Sequence, residues 1–88
     1  MSNEIKGAVE RVIRRVAEER GLALPALRDD TEIVDELGFS SLVVAALIAS
    51  LEEELGFDPF QDEDVMITDV RTFGDLCRVY ADGMARAG

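Results

Sequence analysis

The sequence predicts an all-α fold, a four-helix bundle with a long loop between helices 1 and 2 and a short helix 3. Apolar residues recur at spacings of three and four in three separate segments, as in helices that bury one face. No segment alternates apolar and polar residues as a half-buried strand does. At 88 residues, the chain is expected to form a single domain, residues 1–88, with one modest core.

The first helix is predicted over residues 3–20, with Gly21 placed to end it. Its apolar stripe consists of Ile5, Val9, Val12, Ile13 and Val16. The connection that follows, residues 22–39, contains too many apolar residues for a free linker, so we expect it to pack onto the bundle. One helical turn closed by Gly38 is expected within it.

The second helix is predicted to begin at Ser40 or Ser41 and to run to Leu55, with Gly56 ending it. Serine is a preferred N-cap, so Ser40 is expected to cap this helix and Ser41 to occupy its first position. The predicted buried stripe is Val44, Leu47, Ile48, Leu51 and Leu55.

The other side of this helix, near its start, carries apolar residues where charges would be expected. These residues are Leu42, Val43 and Ala46. Two interpretations have equal standing on the sequence: an exposed apolar contact site, or small side chains covered by the preceding loop.

A short third helix is predicted over residues 63–67, after a turn at residues 57–61. Thr72 and Asp75 resemble a capping box that begins a fourth helix, which continues to about Arg86. The apolar face of the fourth helix is predicted to comprise Phe73, Leu76, Cys77, Tyr80 and Met84. Cys77 is therefore expected to be a buried structural thiol, and Gly83 is expected to let the last turn fray.

The formal charge of −10 is unevenly distributed. Residues 1–28 contain six basic and four acidic side chains, whereas residues 29–88 contain three basic and fifteen acidic ones. Such a surface repels phosphate backbones, so we expect no nucleic-acid partner. It favours encounter with proteins that present basic patches.

Several classes of chemistry are disfavoured by composition. The absence of histidine removes the usual general base and the commonest metal ligand, so no catalytic residue is predicted. The acidic stretch that begins at Asp58 has Glu63 and Asp69 where a calcium loop needs Gly and a bidentate Glu, so no metal site is predicted. Without a secretion-signal pattern or a bilayer-length apolar run, we expect a cytoplasmic protein with no membrane association. We also expect it to be a monomer.

Taken together, the motifs resemble the acyl carrier protein family, which includes the related peptidyl and aminoacyl carriers. The resemblance covers roughly residues 5–80. The matching features are Asp30-Thr31, Leu37-Gly38, Ser41-Leu42, Leu51-Glu52-Glu53-Glu54 and Ile67-Thr68-Asp69-Val70, on a matching helix plan.

The resemblance implies a four-helix bundle of acyl-carrier type and a carrier function without enzymatic activity. In the family, a serine at the start of helix 2 receives 4′-phosphopantetheine from coenzyme A through a phosphopantetheinyl transferase. The thiol of that group holds an acyl or aminoacyl unit as a thioester for a loading enzyme and downstream biosynthetic enzymes. By register from Leu37-Gly38, the matching serine is Ser41.

The chain departs from the fatty-acid carriers at two places. Ser40 stands where those carriers typically have Asp, and Val43 and Ala46 stand where they have acidic residues. The resemblance therefore implies partner recognition through Ser40, Leu42, Val43, Ala46 and Glu53, with apolar contacts prominent.

These departures favour a discrete carrier of a specialised polyketide or nonribosomal peptide type pathway. The runner-up is a primary type II fatty-acid synthesis carrier. A carrier-like interaction module whose serine is not modified, and an unrelated acidic helical adaptor, are the alternatives from other classes.

Overall fold

The computed structural model describes residues 2–61, 65–66 and 70–87, and the side chains of residues 4–61, 65–66 and 70–85. It contains three α-helices: α1 (Ser2–Glu19), α2 (Ser41–Leu55) and α3 (Phe73–Ala87). A 3₁₀ turn at Pro59–Gln61 follows α2. The all-helical prediction is confirmed for these elements. The described ranges contain no strand, and one isolated antiparallel bridge joins Glu32 to Thr72.

The predicted short helix at residues 63–67 is wrong at Val65 and Met66, which are not helical, and its other residues lie outside the described part of the chain. A 3₁₀ turn is formed upstream instead. The Asp58 side chain accepts a hydrogen bond from the Phe60 N–H at 3.0 Å, which fixes that turn. The fourth predicted helix is α3.

Helix α1 is the centre of the packing, since it contacts both α2 and α3. Its apolar stripe is fully buried as predicted. Helices α2 and α3 make far fewer direct contacts with each other.

The long connection between α1 and α2 packs onto the bundle, as predicted. Leu37 and Phe39 are buried in the core. Three backbone hydrogen bonds tie it to the start of α3. They run from the Ile33 N–H to the Arg71 carbonyl at 2.9 Å, from the Phe73 N–H to the Thr31 carbonyl at 2.8 Å, and from the Gly74 N–H to the Asp29 carbonyl at 2.9 Å. This pairing fixes the middle of the loop, ahead of the segment that leads into α2.

The capping box at the start of α3 is confirmed. The Thr72 hydroxyl accepts from the Asp75 N–H at 3.0 Å, and the Asp75 carboxylate accepts from the Thr72 N–H at 3.2 Å. The same carboxylate accepts from the Arg71 N–H at 3.2 Å. Helix α3 therefore begins one residue after Thr72.

Gly83 lies within α3 and has a role in packing that the sequence did not predict. The helix continues to Ala87, and a Cβ atom at Gly83 would lie 2.7 Å from Cε2 of Phe57. Gly83 therefore admits the aromatic ring that follows α2. Phe57 in turn packs edge-to-face on Tyr80, with the ring centroids 5.7 Å apart.

Candidate functional site

The start of α2 is formed as predicted, with Ser40 as the N-cap and Ser41 as the first helical residue. Ser40 has an extended backbone, and its Oγ accepts a hydrogen bond from the Val43 N–H at 3.3 Å. Its carbonyl accepts from the Val44 N–H at 2.9 Å, the first bond of the helix. Gly38, at φ 75°, turns the chain into this cap.

Ser41 lies on the surface, next to the capped end of a 15-residue helix. The first turn of α2 contains no acidic residue, so the partial positive charge of the helix N-terminus is not offset there. A hydroxyl in this position is accessible to another protein. A phosphodiester formed on it would meet a favourable electrostatic environment.

An apolar chamber of about 340 Å³ opens beside Ser41, between α2 and α3. It is lined by Ile33, Val34, Ser41, Val44, Leu47, Ile48, Val70 and Leu76. The chamber occupies the region where α2 and α3 have few direct contacts. Its lining contains one polar side chain, the Ser41 hydroxyl itself, among the described residues.

The residues predicted to take part in partner recognition differ in their exposure to solvent. Leu42 is 71% exposed, Glu53 is exposed, and Ala46 is half-buried. Ser40 is exposed and also caps the helix. These residues remain available to a partner to differing degrees.

Of the two interpretations of the apolar residues near the start of α2, the exposed contact site is wrong for Val43, because its side chain is buried, with 9% of its surface accessible. Val43, Leu47 and Leu51 form the face of α2 in the core. Val44, predicted to belong to the buried stripe, is half-buried and lines the chamber. Residues 42–49 are all apolar, so the sequence contains no polar position there that would show which face of α2 is buried.

Val34, in the loop before α2, also lines the chamber and was not predicted from the sequence. It is 57% exposed although it is apolar. A valine in a polar loop carries no signal of its own in the sequence. Its place depends on the bridge between the loop and the start of α3.

Cys77 does not belong to this site. It is half-buried on α3, and burial raises the pKa of its thiol to about 11. The thiol is therefore protonated at neutral pH, which agrees with the predicted structural role. The described residues hold no cluster of three Asp, Glu or Cys side chains arranged for a metal ion.

Comparisons with known proteins agree with this geometry. Residues 10–79 match the family described as "Phosphopantetheine attachment site". The chain also resembles the solution structure of MacpD, an acyl carrier protein from Pseudomonas fluorescens involved in mupirocin biosynthesis. The TM-score is 0.78 at 39% sequence identity, over 91% of this chain and 70% of MacpD.

The chain therefore belongs to the phosphopantetheine-binding acyl carrier protein family. It is a carrier and not an enzyme. Its cofactor is covalently attached 4′-phosphopantetheine, and its partners in general are phosphopantetheinyl transferases and biosynthetic enzymes. None of the three helices in the described ranges is long and apolar enough to span a bilayer.

Proposed function

We propose that Ser41 carries the 4′-phosphopantetheine group and that the chain is a discrete carrier of a specialised biosynthetic pathway. The attachment to Ser41 is supported by the exposed position of its hydroxyl at the capped start of α2, beside an apolar chamber. When bound, the group supplies a thiol on which the cargo is held as a thioester.

The attachment needs no base from this chain. The Ser41 Oγ forms a bond to the phosphorus that carries the pantetheine arm of coenzyme A, and the phosphoanhydride bond breaks. Adenosine 3′,5′-bisphosphate leaves, and the hydroxyl proton passes to a base of the transferase. The role of Ser41 is to present a hydroxyl on a rigid corner, and the α2 dipole stabilises the phosphodiester.

The apolar chamber gives the arm and the first carbons of its cargo a place against the protein. Burial of an apolar chain there is favourable by about 0.8 kcal/mol for each methylene removed from water. The chamber wall is formed by Val44, Leu47 and Ile48 of α2, with Leu76 of α3 opposite. Cargo held in this way is shielded from water until a partner enzyme removes it.

The similarity to MacpD and the apolar surface after Ser41 both support a specialised pathway. Leu42 is highly exposed, and the first turn of α2 has no acidic residue for a basic partner to pair with. Partners are therefore proposed to recognise this end of α2 through apolar contact, with Glu53 and its acidic neighbours in a secondary role. A primary fatty-acid synthesis carrier is the second candidate, favoured only by the acidic residues at the end of α2.

The attachment site is tested by incubating the apo protein with coenzyme A and a broad-specificity phosphopantetheinyl transferase, followed by mass spectrometry. We expect the wild type to gain one phosphopantetheine and Ser41→Ala to gain none while keeping its helical circular dichroism. Ser40→Ala is the matched control. It should still be modified, with a stability loss of about 1 kcal/mol from the missing cap. A peptide map with the group on Ser40 would contradict the proposal, and an unmodified wild type would favour a carrier-like interaction module.

A further inference from the structure

The turn that precedes α2 is closed by a glycine with a left-handed backbone. Residues 33–37 form this turn, and Gly38 follows it with φ 75°. The Gly38 N–H donates to the Val34 carbonyl at 3.1 Å, the bond by which a left-handed residue commonly ends a helical turn. The Phe39 N–H donates to the Ile33 carbonyl at 3.3 Å. The direction in which the chain leaves the turn is therefore set at Gly38.

The same turn is anchored to the start of α3 through Ile33. The Ile33 N–H donates to the Arg71 carbonyl at 2.9 Å, while the Ile33 carbonyl accepts from Phe39. The side chains of Ile33 and Phe39 are both buried in the hydrophobic core. Backbone hydrogen bonds and buried side chains thus connect α3 to a residue two positions before Ser41.

Only Ser40 lies between this anchored segment and Ser41. Ser40 has an extended backbone, and its hydroxyl and carbonyl oxygens accept hydrogen bonds from the first turn of α2. Ser41 therefore lies on a corner with two supports. The cap at Ser40 orders the helical side of the corner, and the turn closed by Gly38 orders the side from which the chain arrives.

We propose that Gly38 is a positioning residue for the modification of Ser41: its left-handed backbone holds the Ser41 hydroxyl in the orientation that the phosphopantetheinyl transferase binds. This inference rests on the proposed function of Ser41. An L-residue in the left-handed region is disfavoured by an amount equivalent to about a tenfold change in an equilibrium constant. A side chain at position 38 therefore favours other conformations of the corner and lowers the fraction of carrier that is competent. Because the transferase selects that fraction, the KM for the carrier rises with little change in kcat.

Three glycines of this chain allow the conformational effect to be isolated. Gly21, Gly38 and Gly56 have φ angles of 70°, 75° and 81°, and a Cβ added at any of them would meet no atom within 4 Å apart from its chain neighbours. Alanine at these positions therefore introduces a similar backbone strain without a clash inside the protein. Gly21 lies after α1, and Gly56 caps the end of α2 that is remote from Ser41.

The test measures kcat and KM for the full apo chain with coenzyme A and a broad-specificity phosphopantetheinyl transferase. Gly38→Ala should raise the KM for the carrier by up to about tenfold and speed hydrogen exchange at the Phe39 amide by a similar factor. Gly21→Ala and Gly56→Ala should keep the wild-type KM while losing about as much stability in urea titrations. An unchanged KM for Gly38→Ala, or an equal rise in all three variants, would overturn the proposal.

A chemically synthesised chain with D-alanine at position 38 separates backbone conformation from the presence of a methyl group. Positive φ is the favoured region for a D-residue, so this chain should retain the wild-type KM. A rise equal to that of Gly38→Ala would mean that the methyl group obstructs the transferase, and the positioning role would be wrong.

The inference about Gly38 and the assignment of Ser41 fail in different ways. If the wild type gains no phosphopantetheine, or gains it on Ser40, the assignment of Ser41 is overturned and the role of Gly38 falls with it. If the wild type is modified on Ser41 and Gly38→Ala has the same KM, only the inference about Gly38 is overturned.

Discussion

Two adjacent residues at the start of α2 have opposite environments. Leu42 is 71% exposed, whereas Val43 is 9% exposed and packs in the core with Leu47 and Leu51. Substitution by aspartate at the two positions therefore separates a surface role from a folding role. A substitution at position 42 tests partner recognition, and one at position 43 tests the packing of the core.

Val43→Asp should destabilise the fold by on the order of 3 kcal/mol, because a carboxylate would be buried without a partner. Leu42→Asp should leave the melting temperature nearly unchanged but slow transfer from the cognate loading enzyme. Glu53→Lys should slow that transfer less, since an exposed ion pair is worth about 0–1 kcal/mol. The measurements are the melting temperature and the loading rate of each holo variant. Normal loading by Leu42→Asp with impaired loading by Glu53→Lys would show electrostatic recognition and favour the fatty-acid carrier.

At the scale of single elements, the start of α3 depends on the charge of Asp75. Hydrogen bonds from the Arg71 and Thr72 N–H groups to its carboxylate, with a contribution from Arg78, lower the pKa of Asp75 below its usual value. A carboxyl group with a lowered pKa in the folded state stabilises the fold when it is ionised. That stabilisation is fully present above the unfolded-state pKa, which is about 3.9.

The free energy of unfolding should therefore lose the contribution of Asp75 as the pH falls from about 4 through the lower folded-state pKa. Asp75→Asn should remove this part of the pH dependence and lower stability at pH 7. Urea titrations of both proteins between neutral and acidic pH measure the difference. Parallel curves for wild type and variant over this range would contradict the prediction. Asp82→Asn, at an exposed position on the same helix, is the control.

Two glycines within helices, Gly7 and Gly83, differ in the space available for an added Cβ atom. A Cβ at Gly83 would lie 2.7 Å from Cε2 of Phe57 and 3.3 Å from Cβ of Pro59. At Gly7 the nearest atom beyond the helix backbone would be the end of the Arg11 side chain, at 3.9 Å. Gly7→Ala should stabilise the protein by up to about 1 kcal/mol through helix propensity. Gly83→Ala should instead destabilise it by about 1–3 kcal/mol, because the aromatic ring must move. Chemical denaturation of both variants checks this, and a gain at position 83 would contradict the packing described for Phe57.

At the scale of the whole molecule, the excess of acidic residues is the dominant property. The formal charge is −10, and the acids are concentrated after residue 28. Glu52, Glu53 and Glu54 are all exposed at the end of α2. Repulsion between such side chains weakens the folded state and is reduced by dissolved ions.

The melting temperature should therefore rise when sodium chloride is added at neutral pH. Calcium should act in the same way, weakly and without a fixed stoichiometry. Differential scanning calorimetry with each salt, together with isothermal titration of calcium, provides the measurement. A single tight and saturable calcium site would contradict the prediction that the acidic segment after Asp58 binds no metal.

The local signals in the sequence were sufficient for much of this protein. The cap at Ser40, the helix end at Gly56 and the capping box of Thr72 and Asp75 all form as predicted, because each depends on residues within one helical turn. The register that points to Ser41 is likewise local. The family followed from these motifs in their order along the chain.

Tertiary structure decided what local patterns left open. The phase of α2 was ambiguous because its first half is apolar on every side, and only packing against α1 buried Val43 and turned Val44 to the chamber. Gly83 gained its role from Phe57, which is distant in sequence. The chamber beside Ser41 exists because the loop is bridged to the start of α3 while α2 and α3 remain apart. Each of these features depends on contacts between segments far apart in the chain, which periodicity and capping rules do not encode.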